Sequence, residues 1–244
     1  MSSKLVERYF QLVDEKSLWS SSANWRFYVD LLFEGVALGD KRVLDVGAGK
    51  GLLGLYAACQ GATHVVCLEP EAAGSTANVR EVFHGLASEL TCGQAQMLPL
   101  TFQDFDPGEE RFDVVVVHNA INHLDEDACI RLHHDEQASR RYRELLEKMA
   151  RLCARGAEVI IVDCDRSNFF AQLGLRCPFI APIEWHKHQP PRVWAELLAD
   201  VGFRTRRVRW FAFNCLGRPG QLLLGNRVAA YFLGLVFCLE VVKV

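Results

Sequence analysis

Short apolar runs that alternate with helical segments place the tightest limit on the fold of this chain. Four consecutive valines lie within Phe112–His118, a pattern typical of a strand buried on both faces. Arg42–Val46 and Glu158–Val162 are similar runs, while residues 52–59 and 135–154 have helical spacing. Strands alternating with helices predict an α/β fold, a three-layer sandwich whose mostly parallel, seven-stranded sheet carries helices on both faces.

The other predicted elements continue this alternation over the 244 residues, enough for one large α/β domain. Two helices are predicted within residues 4–38, with a break near Ser20–Ser22. Further helices are predicted at 72–86 and 190–201, and further strands at 64–68, 90–95, 204–213 and 237–242. We therefore expect an N-terminal helical cap, residues 1–40. A domain of residues 41–244 should follow, with lid segments near 166–192 and 214–235.

The net charge and the distribution of basic residues bear on whether the protein binds nucleic acid. A formal net charge of -3 argues against a nucleic-acid partner, because binding phosphates requires a field of basic side chains. One basic run, Arg204 to Arg209, is better explained as a solvated edge strand than as an anion site. In a strand, Arg204 and Arg206 would share one face, and Arg207 and Arg209 the other.

Cysteine usage and hydropathy suggest a compartment. The nine cysteines include no C-x-x-C pair, so neither a zinc site nor a disulfide framework is indicated. Reduced thiols fit a cytoplasmic protein. The apolar run Val228–Leu239 is too short to span a bilayer and is expected in the core. We expect no membrane partner, and a monomer or homodimer.

In parallel sheets, ligands bind beyond the carboxyl ends of the strands. Functional residues should thus follow Val46, Leu68, Ala95, Val117 and Val162. The first of these places carries the strongest motif, a strand that ends in Asp45-Val46 and continues into Gly47-Ala48-Gly49-Lys50-Gly51. Glycine allows a tight turn and a close approach of backbone to ligand. The helix that follows presents free N–H groups at its positive end.

Two common nucleotide-binding motifs do not fit the sequence of this turn. Leu52 stands where a dehydrogenase G-x-G-x-x-G pattern needs its third glycine, and Lys50 is followed by Gly51 where a P-loop needs Ser or Thr. The motif instead resembles that of the class I, Rossmann-like S-adenosylmethionine-dependent methyltransferases. The resemblance runs from Val43 through Val162 and more loosely to the end of the chain.

This resemblance implies S-adenosylmethionine as methyl donor and S-adenosylhomocysteine as product. Asp45 would help anchor the cationic amino-acid part, and Glu69, 18 residues beyond Gly51, would accept bonds from the ribose hydroxyls. Gln94, where the family usually has Asp, would lie at the adenine edge. The donor-binding residues implied in this way are Arg26, Asp45, Gly47, Ala48, Gly49, Gly51, Glu69, Pro70, Gln94, Ala95, His118 and Asn119.

Histidines are the candidate bases for an acceptor that must lose a proton. His123 follows the fourth strand, and His186 and His188 follow the fifth; each is equally open to a purely structural role. No metal is expected. His133, His134 and Asp135 fit a solvated helix start, and the pattern that would make Asp163 and Asp165 magnesium ligands is missing.

The sequence thus predicts methyl transfer to a small organic acceptor by in-line displacement. A protein methyltransferase is the first alternative, since residues 52–62 look like a helix of the protein arginine methyltransferases. Asn119 and Asn122 stand where those enzymes need paired glutamates. RNA methylation would need a broader basic surface. A non-catalytic protein that only binds the donor is the remaining alternative.

Overall fold

Seven strands pair in the order β3-β2-β1-β4-β5-β7-β6 in the computed structural model, which describes residues 2–71, 78–180 and 182–244. The strands are β1 Arg42–Val46, β2 His64–Leu68, β3 Ala95–Leu98, β4 Phe112–His118, β5 Cys153–Cys164, β6 Phe203–Trp210 and β7 Val236–Lys243. The helices are α1 Ser2–Glu15, α2 Ser22–Leu32, α3 Leu52–Cys59, α4 Val79–Glu89, α5 Glu126–Arg131, α6 Glu136–Leu152, α7 Phe169–Gln172, α8 Pro191–Asp200, α9 Gly217–Leu224 and α10 Arg227–Leu233. The predicted mostly parallel, seven-stranded α/β sheet is confirmed.

The chain folds into two compact units, Met1–Val117 and His118–Val244. In the first unit, β1 pairs in parallel with both β2 and β4, which places Asp45 opposite Cys67 and Val116. The N-terminal helices belong to this unit. Ser21 begins α2 by accepting from the Asn24 backbone N–H, the break expected near Ser20–Ser22.

The N-terminal helices pack on α3 through aromatic side chains. The hydroxyl of buried Tyr9 donates to the Leu52 carbonyl at 2.9 Å and accepts from Trp25 Nε1 at 2.7 Å. Tyr9 also lies 5.8 Å from the ring of Tyr56 on α3. The helix that follows the glycine turn is therefore covered by apolar packing from α1 and α2.

In the second unit, β7 runs antiparallel to both β5 and β6. β6 is an edge strand, and Arg207 and Arg209 both contact the buried carboxylate of Glu240, the former at 2.7 Å. Arg206 contacts Glu158 instead, at 2.7 Å. The basic run is the edge strand that the sequence predicts, but only part of it is solvated: Arg207 and Arg209 share one face and are partly buried against Glu240.

One predicted strand is wrong. Residues 90–94 form no strand, and β3 begins at Ala95 and continues to Leu98. Leu90 and Cys92 misled the prediction because they are buried at the end of α4 although they lie in a turn. The predicted helix 72–86 is observed only from Val79, and its residues 72–77 lie outside the described part of the chain.

The apolar run Val228–Leu239 is only partly in the core. Phe237, Cys238 and Leu239 are fully buried in β7, whereas Val228 and Phe232 on α10 are 69% and 53% exposed. The prediction of burial is thus wrong for the outer face of α10, although Ala230 on its inner face is buried. No helix in the described ranges combines the length and the apolarity needed to cross a bilayer. All nine cysteines are free thiols.

Candidate functional site

The glycine turn after β1 is held against the end of β2. Gly47 N–H and Ala48 N–H both donate to the Leu68 carbonyl, at 2.9 and 3.0 Å. Gly47, Gly49 and Gly51 all have positive φ angles, between 53° and 70°, which is the left-handed region that glycine enters without strain. The sequence predicts this turn, and the structure shows that all three glycines adopt left-handed backbone conformations in it.

The glycines face different surroundings. A Cβ on Gly51 would lie 2.4 Å from the ring of Phe83, so this position is closed by packing. A Cβ on Gly49 would meet no atom within 4 Å among the described residues. The backbone of Gly49 therefore borders open space, as it must if a ligand is to approach it.

Glu69 completes this turn from the end of β2. Its Oε2 accepts a 2.7 Å hydrogen bond from the Gly49 N–H, and its own N–H donates to the Leu98 carbonyl at the end of β3. The side chain is only 6% exposed. The acid predicted to bind ribose thus lies beside the predicted glycine turn. Pro70 follows it and is exposed.

Asp45 lies beneath the same turn and is 1% exposed. Its Oδ2 accepts from the Gly54 N–H at 3.1 Å, but its Oδ1 is buried with no hydrogen-bond partner among the described residues. Burial raises the pKa of Asp45 to about 7. The Gly54 hydrogen bond opposes this rise and the nearby charge of Glu69 adds to it. A buried carboxylate with one unused oxygen suits a cationic ligand, which would stabilise its charged form.

The prediction that Gln94 and Ala95 lie at the adenine edge assumed that a strand ends at Ala95. The structure does not support it, because β3 begins at Ala95. Ala95 pairs with Val65 at the amino end of β2, and the Gln94 side chain donates to the Ala58 carbonyl at 3.2 Å. The strand end that lies beside Leu68 is Leu98. The residues that follow β3 at its carboxyl end therefore begin at Pro99, whereas Gln94 precedes the strand.

Arg26 has partners that the sequence did not indicate. Its guanidinium forms a 2.7 Å ion pair with Glu7 on α1, and its Cζ lies 3.9 Å from the centre of the Phe10 ring. The neighbouring Trp25 and Tyr28 are buried packing residues. In this structure Arg26 is therefore held on α1 by an ion pair and a cation–π contact.

The exit of β4 contains His118 and Asn119. Loss of hydration lowers the pKa of His118 to about 4, so its imidazole is neutral at physiological pH. Asn119 has a φ of 51°, a left-handed conformation that Asn tolerates, and its N–H donates to the Val162 carbonyl at 2.8 Å. The backbone at Asn119 therefore lies beside the carboxyl end of β5.

His188 and Asp163 form a pair that links the segment before α8 to the end of β5. His188 Nδ1 lies 2.8 Å from Asp163 Oδ1, and Asp163 is fully buried. In the neutral imidazole, a carboxylate that accepts from Nδ1–H leaves the lone pair on Nε2, which forms no hydrogen bond within the described chain. The His188 side chain keeps 14% of its surface exposed. Such a pair has the geometry of a general base and its orienting acid.

The other candidate histidines have different surroundings. His123 is exposed, and its Nδ1 lies 3.0 Å from Glu126, three residues further along the chain. This is a local surface contact, the structural role that the sequence left open. His186 is exposed and, with His133, His134 and Trp185, lines a cleft of about 460 Å³.

The sequence marks Asn122 only as a departure from the paired glutamates of the protein arginine methyltransferases, and the structure makes it a candidate site residue. It is 1% exposed, yet neither its side-chain Oδ1 nor its Nδ2 has a hydrogen-bond partner among the described residues. Buried amides are almost always paired, so an unpaired one indicates a missing partner. Its position just after β4 was the only signal, and burial without partners cannot be read from sequence.

Asp163, Cys164 and His188 are also the described residues that come close enough to hold a metal ion, with one ligand atom from each within 4.8 Å of the others. Burial raises the pKa of the Cys164 thiol to about 12, which keeps it protonated. His188 Nδ1 is already bonded to Asp163. The arrangement fits an imidazole–carboxylate pair better than a set of metal ligands.

Residues 22–208 match the family model for a methyltransferase domain. No curated protein matches the sequence. This match covers more than half of the chain, so the protein belongs to the class I S-adenosylmethionine-dependent methyltransferase family.

Solved structures share the fold at low sequence identity. An S-adenosylmethionine-dependent methyltransferase from Mesorhizobium loti is 13% identical, with a TM-score of 0.60 over 91% of this chain and 98% of that one. A methyltransferase of the same description from Aquifex aeolicus is 15% identical, with a TM-score of 0.58 over 88% of each chain. Magnesium protoporphyrin IX methyltransferase from Synechocystis PCC 6803, with bound S-adenosylhomocysteine, is 15% identical, with a TM-score of 0.55 over 91% of this chain and 83% of that one.

Proposed function

We propose that the protein transfers the methyl group of S-adenosylmethionine to a hydroxyl group of a small organic acceptor, with His188 as general base. The observation that carries this proposal is the 2.8 Å contact between His188 and fully buried Asp163. Asp163 lies at the end of β5, beside the exit of β4 where Asn119 bonds to Val162. This is the edge of the sheet at which parallel α/β proteins bind their ligands.

The glycine turn and its two acids would bind the donor. Gly49 offers a backbone that a ligand can approach, and Glu69 beside it can accept bonds from ribose hydroxyls. Asp45 can balance the positive charge of the amino-acid part, directly or through water, with its unpaired Oδ1. When bound, the donor supplies an electrophilic methyl group on a sulfonium.

His188 would remove the proton of the acceptor. The acceptor oxygen forms its bond to the methyl carbon as the carbon–sulfur bond breaks, and the hydroxyl proton passes to His188 Nε2. Asp163 keeps Nδ1 protonated and stabilises the imidazolium that results. The proton then leaves to solvent, since the His188 side chain is partly exposed.

A small acceptor is supported by the size of the neighbouring cleft. Its volume of about 460 Å³ lies within the usual range for small-molecule sites, and Trp185 offers a flat apolar surface. His133, His134, His186 and Arg166 give the same cleft donors for a polar or anionic group. The net charge of -3 gives no support to a nucleic-acid acceptor.

The test is transfer of a labelled methyl group to a panel of small phenols, catechols and hydroxy acids. His188→Gln and Asp163→Asn should each lower kcat by about 10²–10⁴-fold, because loss of a general base costs this much. Donor affinity, measured by calorimetry, should stay unchanged in both variants. His123→Gln is the matched control and should keep full activity, since exposed His123 contacts Glu126 in a local surface pair three residues away.

Two results would contradict the proposal. If His188→Gln keeps the wild-type kcat at neutral pH, the base is another group. If the protein binds the donor but methylates no member of the panel while methylating peptides or RNA, the acceptor class is wrong.

A further inference from the structure

Two segments of the second unit expose large apolar side chains on an ordered surface. Of the eleven large apolar residues exposed in the described chain, eight lie within residues 173–179 and 216–232. Leu222 and Leu223, at the end of α9, are 85% and 72% exposed, and Val228 at the start of α10 is 69% exposed. We call residues 169–179 and 214–232 the apolar face.

The two parts of the apolar face are packed against each other. Phe169 on α7 lies 5.9 Å from the Phe232 ring on α10, and Tyr231 donates from its hydroxyl to Gln172 at 2.9 Å. Asn226 begins α10 by accepting from the backbone N–H groups of Val228 and Ala229. The exposed leucines are therefore held by a structured support, and a monomer in water gains nothing from their exposure.

Basic side chains outnumber acidic ones on this face. The apolar face contains Arg176, Arg218 and Arg227 but no Asp, Glu or Lys. Two acids border it: buried Asp165 lies near Arg227, and exposed Glu184 lines a cleft with Arg176. Arg176 and Arg218 are exposed. Arg218 and Arg227 flank Leu222 and Leu223 along the chain.

We propose that the apolar face binds the surface of an anionic lipid bilayer. Leu222, Leu223 and Val228 would enter the boundary between headgroups and acyl chains, and the arginines would contact the lipid phosphates. A second copy of this chain is a poorer occupant, because two such faces would bring arginines together without acids to balance them. The sequence alone predicts no membrane partner, so this proposal departs from that prediction.

The experiment is flotation of the 244-residue protein with vesicles of phosphatidylcholine, with and without phosphatidylglycerol. Binding is expected only to the vesicles that contain phosphatidylglycerol, and it should fall at high salt. The double variant Leu222→Gln/Leu223→Gln should bind at least about tenfold more weakly, because it removes apolar side chains from the interface. Arg218→Gln and Arg227→Gln should each weaken binding by about fivefold.

Matched controls lie outside the face. Val244→Gln replaces another apolar residue that is 66% exposed, and Arg192→Gln replaces an arginine whose side chain is 83% exposed. Both should bind as the wild type does. Equal binding to neutral and anionic vesicles, or unchanged binding by the leucine variant, would overturn the proposal. A dimer in sedimentation that the leucine variant converts to a monomer, without vesicle binding, would assign the face to self-association instead.

Discussion

Replacing Asp45 by Asn should make the unbound protein more stable above neutral pH. Burial raises the pKa of Asp45 from 3.8 to about 7. A raised acid pKa means that the unfolded state releases its proton first, so stability is lost as pH rises from about 4 to about 7. A shift of about 3 units corresponds to about 4 kcal/mol, all of it lost above pH 7.

The Asp45→Asn variant has no proton to release and keeps an oxygen that can accept from Gly54 N–H. We expect it to be about 4 kcal/mol more stable than wild type at about pH 8 and equally stable near pH 4. Urea unfolding across this range measures the difference. Asp40→Asn is the control, because Asp40 is exposed and has a left-handed backbone conformation that Asn also tolerates. Its free energy of unfolding should vary with pH as that of the wild type does.

The affinity for the donor should change with pH in the opposite direction to the stability of the unbound protein. A cationic ligand favours the ionised form of Asp45, so wild-type affinity should rise with pH through about pH 7, with release of a proton on binding. The Asn variant should bind the donor about tenfold or more weakly and without this pH dependence. Stability curves of Asp45→Asn and wild type that stay parallel from about pH 4 to 8 would refute the reasoning about this carboxyl.

Three further substitutions test other parts of the site. Gly49→Ala should cost only about 1 kcal/mol of stability but should weaken donor binding, because its Cβ would enter open space. Gly51→Ala should lower the urea midpoint by more than Gly49→Ala does, because its Cβ would clash with Phe83. Asn122→Leu should raise stability by about 1–3 kcal/mol in thermal unfolding and lower methyl transfer, because it removes an unpaired buried amide. Unchanged activity in that variant would show that the amide meets no ligand. Glu240→Gln should lose about 3 kcal/mol in urea unfolding, since it leaves two arginines of β6 without their acid; no loss would mean that solvent satisfies them.

The local pattern of the sequence was enough to define β1, β2, β4 and α3, whose observed bounds match the predicted ones. Most of their residues are buried, so a continuous apolar run carries most of the signal. The same reasoning located Asp45, the glycine turn and Glu69, because all three lie at element ends marked by the chain itself.

Tertiary structure decided the features that depend on neighbours distant in sequence. The start of β3 was missed because Leu90 is buried by packing and not by strand pairing. His188 and Asp163 are 25 residues apart, and only the fold brings them to 2.8 Å. The isolation of the Asn122 amide and the exposure of Leu222 likewise depend on what surrounds each side chain, which periodicity does not encode.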